Sequence, residues 1–64
     1  MDKAKLVQGT VYELSKYVDG SSAGTEVIFK WFTKDGKYAI CSPVGEPDMQ
    51  SCLCVNPETE LKSL

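Results

Sequence analysis

"TEVIFKWFTKDGKYAI", residues 25–40, decides how this chain is read. Val27, Ile28, Phe29, Trp31 and Phe32 give it the β-branched and aromatic richness of a strand, and Tyr38, Ala39 and Ile40 open a second such run after Lys34-Asp35-Gly36. Two strands separated by so short a turn signal form a β-hairpin. Side-chain alternation puts Val27, Phe29 and Trp31 on one face and Ile28 and Phe32 on the other, so both faces are expected to be partly covered. Two registers are open. A two-residue Asp35-Gly36 turn sets Trp31 opposite Ile40 and Lys34 opposite Lys37; a three-residue turn with Gly36 in the left-handed position sets Phe32 opposite Tyr38. The second avoids facing like charges and pairs two aromatics, and is the expected one.

Outward from the hairpin, "KLVQGTVYEL", residues 5–14, reads as a first strand bent at Gly9. "DGSSAG", residues 19–24, has turn chemistry and no apolar period, and is a loop. On the other side, "GEPDMQ", residues 45–50, is a turn, and "SCLCV", residues 51–55, is a short strand returning beside Lys37–Val44. Asn56 then offers a helix cap and Pro57 a first helical position, enough for one 3₁₀ turn before "ELKSL", residues 60–64, closes the sheet as a last strand. Val11, Val27, Phe29, Ile40 and Leu53 are expected to fill the interior.

This succession resembles the small SH3-like barrels, including their Tudor-like and KOW-like variants, and the residues that carry the likeness are "VQGTVYEL", "TEVIFKWFTKDGKYAI" and "SCLCVNPETEL". The resemblance implies an all-β fold: a small five-stranded antiparallel SH3-like barrel spanning residues 1–64 as one domain, with a 3₁₀ turn before the last strand. The paired acidic loop and Trp-Trp dipeptide of Pro-peptide-binding members are missing, as is a well-defined methyl-lysine cage, so no ligand is inherited with the layout. A curved sheet packed on itself and a partly open oligonucleotide-binding-type barrel compete with it.

Composition narrows the function. The chain has 64 residues, 7 basic against 9 acidic, no histidine and a formal charge of −2. Affinity for nucleic acid rests on Lys and Arg neutralising phosphates, and with no arginine present direct nucleic-acid readout is disfavoured. Without histidine the usual general base is missing, and no phosphate-binding loop, nucleophile elbow or spaced carboxylate pair replaces it. Glu46 with Asp48 and Glu58 with Glu60 read as solvated surface charge. No enzyme is expected. Cys52 and Cys54 share one side of a strand, a spacing that is neither redox C-x-x-C nor zinc knuckle, so no metal and no cofactor is expected; Cys41, Cys52 and Cys54 read as thiols of a reducing, cytoplasmic setting. No apolar run reaches signal-peptide or membrane-spanning length, so neither secretion nor a membrane is expected.

What remains is surface. A chain this small cannot bury its Tyr12, Tyr17, Phe29, Trp31, Phe32 and Tyr38 completely, since each aromatic brings about 150–250 Å². Either the tyrosines merely rim the interior with their hydroxyls in water, or Tyr12, Tyr17, Trp31 and Tyr38 form a partner-binding platform bordered by Lys30, Lys34 and Lys37. Three classes follow: a non-catalytic protein-binding module such as an adaptor, assembly subunit or inhibitor; a single-stranded nucleic-acid binder that stacks bases on the aromatics; and a self-assembling subunit, a homo-oligomer whose strand edges pair. The first leads.

Overall fold

The computed structural model describes residues 1–45 and 52–64. Five antiparallel strands curl into a half-barrel: β1 Val11–Leu14, β2 Glu26–Phe32, β3 Ala39–Pro43, β4 Leu53–Val55 and β5 Leu61–Lys62, in the order β4-β3-β2-β1-β5. The last strand returns beside the first, Leu14 opposite Leu61 and Glu13 opposite Lys62, where a salt bridge of 3.0 Å joins the latter pair. Among the described residues no helix is long and apolar enough to cross a membrane. The turn expected over residues 45–50 lies outside the described residues from Glu46 onward.

The hairpin forms with both registers, one on each side of a bulge. Val27 faces Pro43, Ile28 faces Ser42 and Phe29 faces Cys41, but Trp31 faces Ile40 and Phe32 faces Ala39. Lys30 is the extra residue. The expected Phe32–Tyr38 pair continues the first register and the Trp31–Ile40 pair belongs to the second, so neither single register describes the hairpin.

The loop that closes it is longer than either expectation. Thr33 donates its N–H to Tyr38 at 2.9 Å, and Gly36 donates to the Thr33 carbonyl at 2.8 Å with φ +74°. Lys34 to Lys37 therefore form the loop and need not face each other in a ladder. Asp35 organises it: one carboxylate oxygen accepts from the Thr33 hydroxyl at 2.6 Å and from the Lys37 N–H at 3.0 Å, while Thr33 Oγ1 accepts from the Tyr38 N–H at 3.2 Å. The Thr33 hydroxyl first, and then the Lys37 N–H, hold the Asp35 carboxyl below its ordinary range.

The expected long first strand is shorter and preceded by a separate element. Lys3–Lys5 form a 3₁₀ turn capped by Asp2, whose carboxylate accepts from the Ala4 N–H at 3.0 Å. Val7 to Thr10 close a reverse turn with Gly9 at φ +84°, and only then does β1 begin; the bend lies where Gly9 was expected to put it. The loop of residues 19–24 contains a tight turn of its own, since Val18 and Ser21 exchange both main-chain hydrogen bonds at 2.8 Å across Asp19 and Gly20. Before β5 the Asn56 carbonyl accepts from Thr59 and Glu60, its side chain accepts from the Glu58 N–H, and Glu60 Oε1 accepts from the Asn56 N–H. The Asn56 cap thus forms as expected, although the regular 3₁₀ segment is the one at Lys3–Lys5, and Glu60 proves to be a structural acceptor in place of a solvated charge.

The interior holds Tyr12, Leu14, Val18, Val27, Phe29, Ala39, Cys41, Leu53, Val55 and Leu61, with Met1, Leu6 and Phe32 packed against them. Val27, Phe29 and Leu53 lie where they were expected. Val11 and Ile40 do not: each is half-buried, because Val11 alternates with the buried Tyr12 and Ile40 with the buried Ala39 and Cys41.

Replacing Gly36 with Val forces a β-branched residue into positive φ and should cost about 1–2 kcal/mol in denaturant unfolding. Asp35→Ala tests the loop by pH. A depressed folded pKa contributes stability that is present above the unfolded carboxylate range, about 3.9, and is lost as pH falls through the folded value. The variant should therefore melt below the parent at neutral pH, with the gap narrowing in acid; a gap constant with pH contradicts the assignment.

Candidate functional site

The bulge sorts the aromatics. Beyond Lys30 the alternation of β2 inverts, so Phe32 turns inward and packs against Phe29 in a tilted pair, ring centroids 5.0 Å apart at 60°, while Trp31 turns out. The expectation that Trp31 shares a face with Val27 and Phe29 is thereby corrected: those two are buried, and Trp31 is 43% exposed.

The remaining candidates divide three ways. Tyr38 lies across from Thr33 on the same outer face as Trp31, two residues along the ladder, and is also 43% exposed. Such diagonal neighbours have α-carbons about 7–8 Å apart, within reach of two large rings. Tyr12 is in the interior at 4% exposure, because it faces Val27 on the inward parity, and its hydroxyl accepts from the Val7 N–H at 2.8 Å. It pins the reverse turn ahead of β1 and contributes no platform. Tyr17 is exposed, but it follows β1 at the end of the sheet where Glu13 faces Glu26. Along β2, Trp31 lies five residues beyond Glu26, about 16 Å at a strand's rise per residue.

Two apolar residues that were not counted as candidates join the outer face. Ile40 lies between Trp31 on β2 and Cys54 on β4, since it pairs with both, so Trp31, Ile40 and Cys54 form one row across three strands. Their outward parity was unreadable without the bulge. Lys30 sits in the bulge, and Lys34 and Lys37 in the loop, at the same end of the hairpin as Trp31 and Tyr38. Lys3 Nζ reaches the Gly36 carbonyl at 3.1 Å and ties the N-terminal turn to the hairpin loop.

The thiols fall on opposite faces. Cys41 faces Leu53 inward and is fully buried; burial, and secondarily Cys52 and Cys54 nearby, push its pKa up to about 12. Cys54 faces Ile40 outward and is exposed. Ser42 is buried too, and its hydroxyl has no hydrogen-bond partner among the described residues. Among the described residues no group of three or more Cys, Asp or Glu side chains is placed to hold a metal ion.

Compared with protein-family models, curated proteins and solved structures, the chain matches none. The site therefore stands on its own geometry.

Truncation should separate the two faces of β2. Phe29→Ala should cost about 3–5 kcal/mol, enough to unfold a domain of this size, whereas Trp31→Ala should keep a cooperative melt within about 1 kcal/mol of the parent. Thiol labelling of the native protein should modify Cys54 quickly and Cys41 only after denaturation; fast native labelling of Cys41 contradicts its inward placement.

Proposed function

We propose that this chain is a non-catalytic protein-binding module, and that its partner docks on the outer face of the β2–β3 hairpin. The observation that carries the reading is the placement of Trp31 and Tyr38 on one exposed face, next to Ile40, at the end of the sheet whose bulge and loop carry Lys30, Lys34 and Lys37. Tryptophan and tyrosine anchor interfaces because they bury large apolar area at low entropic cost and keep a polar tip for the rim. A surrounding lysine rim favours a partner with acidic groups flanking an apolar or aromatic residue, and steers its approach. The strand order, with β5 beside β1 and a capped turn before it, supports an SH3-like layout for the half-barrel.

The same face could stack single-stranded nucleic acid, which also uses aromatics among cations. An arginine-free chain of charge −2 lacks the broad positive surface on which such binding rests, so the protein partner is the better fit.

Titration of Trp31 fluorescence decides between them. Acidic peptides carrying one central aromatic or leucine should shift the emission saturably, with affinity falling as salt rises and at least about tenfold weaker in Tyr38→Ala. A saturable shift with a mixed-sequence oligonucleotide and none with the peptides assigns the face to nucleic acid. No shift with either removes the face from binding.

A further inference from the structure

The outer face of the sheet has a second charged end, away from the hairpin loop. Across β1 and β2 the Phe29 N–H bonds the Thr10 carbonyl and the Leu14 N–H bonds the Thr25 carbonyl, so alternation makes Tyr12 and Val27 a bonded pair and leaves Val11–Ile28 and Glu13–Glu26 as non-bonded pairs. Non-bonded pairs bring their side chains closest, with α-carbons about 4.5 Å apart. Glu13 alternates with the buried Tyr12 and Leu14, and Glu26 precedes the buried Val27, so both carboxylates lie on the side of the sheet away from the core. Like charges directly opposite each other destabilise a sheet.

Only one of the two is compensated. Lys62 faces Glu13 from β5 and holds its carboxylate at 3.0 Å, whereas the exposed Glu26 has no ion pair and no side-chain hydrogen bond among the described residues. On its other side the Glu26 carbonyl accepts from the N–H of Val44, itself exposed, at 3.1 Å. Toward the hairpin loop the same face runs through the half-buried Ile28 and Ile40 to Trp31, five residues beyond Glu26 along β2 and about 16 Å away. The strip is therefore anionic at Glu26, apolar along its middle, and bordered by Lys30, Lys34 and Lys37 at its aromatic end.

Resting on the proposal that this face docks a protein, we infer that the partner lies along β2 and sets an arginine or lysine against Glu26, five residues of extended chain from the side chain it anchors at Trp31 and Tyr38. An extended segment covers about 3.3 Å per residue, so five residues span the distance. A cation placed there answers the carboxylate that Lys62 leaves uncompensated and offsets the repulsion from Glu13. A neutral or acidic side chain does neither. The partner's acidic groups stay at the lysine end, so its charge order is the reverse of this face's and fixes the direction in which it lies.

The test titrates Trp31 fluorescence with pairs of peptides that share acidic residues around one leucine and carry either arginine or glutamine five residues before it, or five residues after it. On the parent chain one arginine peptide should bind at least about threefold tighter than its glutamine twin, with the advantage shrinking as salt rises. Glu26→Gln should abolish that advantage, and Glu26→Lys should make the arginine peptide the weaker of the two. The free Glu26→Gln protein should melt no lower than the parent, because it loses a repulsion and no contact; a lower melt means that Glu26 is already partnered, and overturns the inference. If no peptide shifts the emission, the docking face itself fails and the inference falls with it. If each pair binds alike, or the arginine advantage survives in Glu26→Gln, the face docks a partner that Glu26 does not orient, and the inference alone is overturned.

Discussion

One extra residue, Lys30, sets what this protein buries and what it shows. Side chains alternate across a strand with a period of two, so a single bulge exchanges the two faces for every residue beyond it. The run Val27-Ile28-Phe29-Lys30-Trp31-Phe32 has more bulk than one face of a small sheet can take. With the bulge, Val27, Phe29 and Phe32 all reach the interior, the two phenylalanine rings touch, and the bulkiest side chain is left outside. An unbroken strand would bury Trp31 and expose Phe32.

The rest of the molecule is arranged around that hairpin. Its loop is held by Asp35 and Thr33 and tied to the N-terminal turn through Lys3. β1 lies along β2, with Tyr12 reaching from the interior to fasten the preceding turn, and β5 completes the sheet beside β1. β3 carries β4 on its far side, which leaves an uncharged edge next to the row of Trp31, Ile40 and Cys54. The outer row thus runs from the aromatic end of the hairpin onto β4, the last strand of the sheet.

Most of the fold was legible because it rests on local chemistry. The β-branched and aromatic runs name the strands, Gly9 and Gly36 mark the bends, and Asn56-Pro57 announces the cap before β5. The N-terminal turn was not legible, since Asp2-Lys3-Ala4-Lys5 is too short to show a period. The site was half legible. Trp31 and Tyr38 are exposed together, but Trp31 reaches the surface by a different face from the one its spacing indicates, and Tyr12 belongs to the interior. Tyr17 is exposed just beyond β1, past the end of the sheet where Glu13 faces Glu26. A bulge leaves little trace in a sequence because it is chosen by packing: the gain comes from Phe29 and Phe32 meeting, which depends on the curl of the whole sheet.

The two registers differ by one residue, and short distances between α-protons of facing strands read that difference directly. Nuclear Overhauser spectra of the chain in solution should show an α-proton contact between Phe32 and Ala39, a non-hydrogen-bonded pair where antiparallel strands approach most closely, about 4.5 Å between α-carbons. An α-proton contact of Trp31 with Ala39 in its place would mean that the register of Phe29 and Cys41 runs on unbroken, that Lys30 is no bulge, and that Trp31 lies with the core.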